Sequence, residues 1–246
     1  MKYLIHPVKT SKDDIKQPAL ADEGIIPKLG SSIIISGKSG SGKSVLLYNL
    51  MTRKEFYLGA FSKIILISPT AEQDDVQIAL KIPQSCIFTD LKQAVGALQI
   101  IERIQTTQIT KVGSGKARRI CIIYDDVVGH TKFMNSPEFV GSFIRSRHWN
   151  CTTFLLTQSF MKVPRVCRLQ CSFIVFFPLS RSEANTVIDE FCPPKTSAQQ
   201  FERMLMEVLD EKYQFFVVNM RVPIPIRYRK GLGEIINLDD YKSDTK

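Results

Sequence analysis

The eight residues Gly37-Lys38-Ser39-Gly40-Ser41-Gly42-Lys43-Ser44 set glycines, cations and hydroxyls at the spacing G-x-x-x-x-G-K-S. Such a segment can cradle a polyphosphate. Glycines let successive backbone N–H groups turn inward on an anion, and a helix opening at Lys43 adds the positive end of its dipole. Lys43 then reaches the β- and γ-phosphates, and the Ser44 hydroxyl takes a magnesium position. Lys38 occupies a place the pattern leaves free and reads as a solvated charge. A nucleoside triphosphate with Mg2+ is the expected ligand, provided that a buried strand precedes the loop and a helix follows it.

Binding alone does not separate a switch from an enzyme, so a water-activating group is the next requirement. The run Ile120-Cys121-Ile122-Ile123-Tyr124 ends in Asp125 and Asp126. At the carboxyl end of a strand, the first acid can join the magnesium shell and the second can act as general base toward a water in line with the γ-phosphate. Asp125 takes the first role and Asp126 the second; the plainer alternative for either is a turn or cap residue. Gln158 ends the run Thr152-Thr153-Phe154-Leu155-Leu156-Thr157. Its amide can donate to the γ-phosphate and accept from the attacking water, which requires its strand to lie between the glycine-loop strand and the acidic strand. Arg145 and Arg147 stand near the end of an expected helix. They are candidates for neutralising γ-phosphate charge, in cis or from a neighbouring subunit, or else form a basic helix terminus favoured by the dipole. His148 reads as structural.

The elements that must carry these groups follow from the hydrophobic pattern. Continuous apolar runs at 33–36, 63–68, 120–124, 152–157, 171–177 and 214–218 lack alternation, as strands buried on both faces do. Helical patterns fall between them at 43–52, 91–105, 137–147, 182–191 and 196–210. The alternation predicts an α/β fold with a mainly parallel sheet and helices on both faces. Residues 1–28 read as an N-terminal arm, 29–233 as one domain with an exposed basic loop at 106–119, and 234–246 as a frayed C-terminal tail. A net charge of +9 favours a polyanionic partner. The six cysteines show no paired or zinc-ligand spacing and read as buried reduced thiols. With no signal-peptide pattern and no apolar run near the ~18 residues of a membrane helix, the chain reads as soluble and intracellular, without membrane insertion.

The segments GKSGSGKS, IIYDDVVG and IRSRHWNCTTFLLTQSFMKVPRVCR, in that order and spacing, resemble the genome-packaging ATPases of poxviruses, other large DNA viruses and virophages, within the HerA/FtsK group of P-loop DNA motors. The similarity covers roughly residues 31–220, with the stretch from Arg147 to Pro164 the most specific to the family. The resemblance implies an ATPase of RecA/ASCE type that uses ATP and Mg2+. It also implies assembly as a homo-oligomeric ring, a hexamer or pentamer, that pumps double-stranded DNA into a preformed capsid and meets a capsid or portal component. Host cytoplasm, the viral factory and the virion are the implied locations. Lys43 and Ser44 carry over as phosphate and magnesium ligands, Asp125 and Asp126 as the acidic pair, and Gln158 as the sensor. Arg147 carries over as first choice for a finger acting in trans, with Arg145 second. Many cellular relatives carry glutamate as the second acid, so the shorter Asp126 must hold its water closer. A motor grips phosphates through exposed cations. Lys111, Lys116, Arg118 and Arg119 of the basic loop, and Lys162, Arg165 and Arg168 beyond Gln158, are the expected DNA contacts. The rival functions are a nucleotide-gated DNA-binding or DNA-segregation module with incidental turnover, and a small-molecule kinase.

Overall fold

The computed structural model describes residues 16–71 and 75–242. Among these, nine strands form one sheet: β1 (Ser32–Ser36), β2 (Lys63–Ile67), β3 (Ile87–Phe88), β4 (Ile120–Asp125), β5 (Cys151–Thr157), β6 (Phe173–Phe176), β7 (Phe216–Asn219), β8 (Tyr228–Lys230) and β9 (Glu234–Ile235). Their spatial order is β3-β2-β4-β5-β1-β6-β7-β8-β9. The first six run parallel, and the last three join antiparallel. The helices are α1 (Ala19–Asp22), α2 (Lys43–Thr52), α3 (Asp75–Leu80), α4 (Leu91–Val112), α5 (Thr131–Met134), α6 (Pro137–Ile144), α7 (Arg165–Gln170), α8 (Arg181–Phe191) and α9 (Ala198–Val208).

Both sheet faces are buried, which explains the unbroken apolar runs. Along β1, Ile33 and Ile35 pack with Leu47, Leu50 and Met51 of α2, while Ile34 faces the core that holds Leu98 of α4 and Phe139 and Phe143 of α6. Each such buried isoleucine contributes about 1.5–3 kcal/mol. A mainly parallel sheet with the glycine-loop strand beside the Gln158 strand, and the acidic strand next, is the order expected from the sequence.

Within that mainly parallel sheet, the strand expected around 214–218 is antiparallel to β6, because two consecutive helices, α8 and α9, return the chain to the edge it left. Two local expectations are corrected. The segment 106–119 is not a loop throughout: α4 continues to Val112 and stops at Gly113, whose φ is +78°. Buried Gln105 anchors this extension by donating to the carbonyls of Arg118 (2.8 Å) and Trp149 (2.7 Å). Residues 234–242 are docked rather than frayed, and 243–246 lie outside the described residues. β9 pairs with β8, Ile236 is buried, and Leu238 and Tyr241 pack on the core. Of the N-terminal arm, residues 1–15 lie outside the described residues. The remainder packs inward through Ala21 and Ile26.

Candidate nucleotide site

The glycine loop leaves the carboxyl end of β1, where Gly37 N donates to Thr157 O at 3.1 Å. A Cβ at Gly37 would stand 2.6 Å from Phe177 Cβ and 2.7 Å from Ser41 Oγ, so the close approach admits only glycine. Gly42, with φ +107°, turns the chain into α2. The other described helices of eight or more residues carry a side-chain cap, from Asp90, Ser136, Ser180 and Ser197, but α2 has none. Its first amides are uncommitted to a side-chain cap, as an anion site requires. Ser41 Oγ is buried with no hydrogen-bond partner, a further group suited to a phosphate oxygen.

Lys43 is 9% exposed, and its Nζ donates to the carbonyls of Gly37 (2.7 Å) and Lys38 (2.8 Å). Burial pulls its pKa below the ordinary lysine value, and the charges of Asp125 and Asp126 oppose that shift. Both acids therefore act electrostatically on the cation of the phosphate loop. Register does the rest of the positioning. Asp125 pairs with Leu156 and Ser36 pairs with Thr157, so exposed Gln158 follows the strand between loop and acids. Beneath the acids, Tyr124 donates to Ser142 Oγ (2.9 Å) and packs against Phe139 at 4.8 Å between ring centroids, fixing the end of β4 to α6. Asp126 follows with φ +52°, a left-handed conformation that a short polar side chain tolerates.

No group of three His, Cys, Asp or Glu side chains among the described residues forms a metal cage. Ser44 at the start of α2 and Asp125 at the end of β4 offer oxygens of the kind Mg2+ takes, one or two at a time, together with substrate phosphates. The cysteines are all free, and burial raises the thiol pKa of Cys121, Cys151 and Cys171 and pushes that of Cys167 up to about 12.

The remaining candidates lie elsewhere. Arg145 and Arg147 precede β5, at the amino edge of the parallel strands, opposite the glycine loop. Arg147 packs by Gly30, and the intervening β1 puts roughly 20 Å between that point and the phosphate loop. Arg145 is ion-paired with Glu102 at 2.5 Å and lies 4.8 Å over the Trp149 ring, so its charge is already compensated within the chain. Arg147 lines an 810 Å³ cavity that also carries Lys28 and Arg221. The Arg221 pKa is lowered by desolvation and then by the Arg147 charge.

Among the expected DNA contacts, Lys111, Lys116 and Arg118 are exposed near the amino edge, whereas Lys162 and Arg165 are exposed beyond the carboxyl edge of β5. The structure does not bring the two groups together. Arg168 is corrected: it is 11% exposed, pairs with Glu190 at 2.6 Å, donates to the carbonyls of Met161 and Val163, and covers the Phe160 ring. That guanidinium ties α7 to α8 and is not available to a phosphate. Arg119 is half-buried, with Nε donating to Ala60 O at 3.2 Å.

Sequence reasoning missed Phe177, Tyr213, Phe215 and Leu232, which wall a cavity beside the phosphate loop. Phe177 and Phe215 sat in runs read only as core, and Tyr213 in a polar segment with no turn signal.

A parallel sheet in which a glutamine-ended strand separates the glycine-loop strand from an acidic strand defines a P-loop NTPase of the ASCE type. The chain belongs to the family described as Poxvirus A32 protein, whose model matches residues 28–222. That bears out the resemblance read from the sequence. Relatives include protein 088R of Invertebrate iridescent virus 3, 24% identical over 226 residues (87% of this chain and 80% of the relative). Protein 015R of Frog virus 3 is 27% identical over 135 residues, 54% of this chain; the match spans only 39% of that relative's length. In fold, the chain is similar to the genome packaging NTPase B204 of Sulfolobus turreted icosahedral virus 2, solved with ATP-gammaS. The TM-score is 0.54 at 14% identity, covering 84% of this chain and 98% of B204.

Proposed function

We propose that this protein is a viral genome-packaging ATPase that couples ATP hydrolysis to translocation of double-stranded DNA into a capsid. The observation that carries the proposal is the convergence of the glycine loop, Gln158 and the Asp125-Asp126 pair at the carboxyl edge of three adjacent strands. Family membership and the fold shared with a packaging NTPase support it. Lys43 and the first amides of α2 hold the β- and γ-phosphates. Ser44 and Asp125 hold Mg2+, which neutralises phosphate charge when bound. Gln158 orients the attacking water, and Asp126 accepts its proton.

Arg147 is too far from its own loop to serve it, so it completes the site of a neighbouring subunit in a closed ring. Lys111, Lys116, Arg118, Lys162 and Arg165 contact DNA phosphates without reading sequence. No described helix is long and apolar enough to cross a membrane, and the proposed place of action is the infected cell's cytoplasm or the assembling particle. Displacement of a third strand from a triplex on double-stranded DNA tests the motor. The expected result is ATP-dependent displacement that fails with a non-hydrolysable analogue; DNA binding without displacement would mark a gated binding module instead.

A further inference from the structure

The cavity beside the phosphate loop measures about 660 Å³ and shares Gly40 to Ser44 with it. Aromatic side chains form part of its remaining wall, with Val45, Leu46, Asn49, Arg53 and Leu232 making up the rest. Phe177 is 2% exposed and packs on Phe215 at 5.3 Å between centroids, so these two rings form a closed back wall. Tyr213 differs from them. It is 56% exposed, and its ring edge reaches the glycine loop, with Cδ1 only 3.6 Å from where a Cβ at Gly42 would be. Its φ is +67°, a left-handed conformation that a bulky aromatic residue rarely adopts. The turn is held by Gln214 N donating to Glu211 O (3.2 Å), while Lys230 pairs with Glu211 (3.3 Å) and Lys212 Nζ lies 4.9 Å from the Tyr213 ring centroid. Strained backbone maintained by its surroundings is a mark of functional positions. Neither phosphate binding nor water activation uses this ring. Across the cavity, α2 and the turn after it supply Asn49 and Arg53.

We propose that Tyr213 is the stacking platform for the base of the bound nucleotide, making this cavity a purine site with Asn49 and Arg53 at the base edge. The inference rests on the triphosphate site proposed above and adds a specificity-determining residue to it. An exposed ring that touches the glycine loop at Gly42 favours the larger π-surface of a purine over a pyrimidine, and stacking of this kind carries a measurable share of affinity.

The test is calorimetric titration of the full chain with Mg·ATP, Mg·CTP and Mg·tripolyphosphate, the last lacking any base. Two variants are compared with wild type: Tyr213→Gly, which removes the ring while suiting the left-handed backbone, and Tyr213→Phe, which keeps it. Tyr213→Gly is expected to weaken ATP binding about tenfold to a hundredfold and to lose the preference for ATP over CTP, with tripolyphosphate binding unchanged. Tyr213→Phe is expected to stay within a few-fold of wild type. The proposal is overturned if Tyr213→Gly binds ATP as wild type does, or if it loses ATP and tripolyphosphate equally, which would assign the ring to holding the loop. Wild-type protein that binds none of the three would overturn the triphosphate site itself, and the platform with it.

Discussion

Lys43 shows how the site departs from what stability alone favours. A buried ammonium whose pKa is lowered by desolvation is held on two loop carbonyls under the opposing charges of Asp125 and Asp126, an arrangement that the proposed polyphosphate site accounts for. Asp125 and Asp126 differ by one position and a change of backbone hand: the first closes β4, and the second takes φ +52°. In the proposed mechanism that difference separates a metal-shell group from a base. Replacing Asp126 by asparagine is expected to lower kcat by roughly 10²- to 10⁴-fold while ATP affinity stays within a few-fold. Equal losses in binding and turnover, measured by titration and steady-state phosphate release, would assign it to the metal shell instead. The loop, the acids and Gln158 were legible in the sequence because each is chemically distinct and adjoins an apolar strand. Tyr213 was not, since nothing in Glu-Lys-Tyr-Gln announces a left-handed turn.

Among the elements, order in the sheet does the positioning. Interposing β5 between β1 and β4 brings Gln158 between loop and acids through backbone register. That arrangement could be read ahead from the position of Gln158, because the chemistry demanded it. Partnerships between elements could not be read in the same way. Arg168 resembles its neighbours Lys162 and Arg165 in the sequence, yet its partner Glu190 lies on α8, and only packing reveals the pair. The docked segment after Gly233 was hidden for a similar reason, as a few apolar residues such as Ile236 and Leu238 carry no periodic signal. Arg168→Ala is expected to destabilise the fold by about 3–5 kcal/mol, because it strands a buried carboxylate, and to leave DNA affinity of the folded protein unchanged. Urea denaturation and a DNA-binding titration check the two parts; weakened DNA binding at unchanged stability would return Arg168 to the DNA-contacting set.

At the scale of the whole molecule, the sheet distributes the candidate groups over two edges. Its carboxyl edge carries the phosphate loop and acids, and its amino edge carries Arg147 with Arg221 beside it, separated by the length of β1. A single chain cannot bring the two edges together; in the proposed ring the amino edge of one subunit faces the carboxyl edge of the next. Phosphate release by mixed subunits tests this division most directly, using Lys43→Ala protein and Arg147→Ala protein, alone and combined, with double-stranded DNA present. Each variant alone is predicted to be nearly inactive, and the mixture is predicted to recover a substantial part of wild-type turnover at junctions that pair an intact loop with an intact arginine. Full turnover by either variant alone, or no recovery on mixing subunits that co-assemble, would contradict a catalytic site shared between two chains.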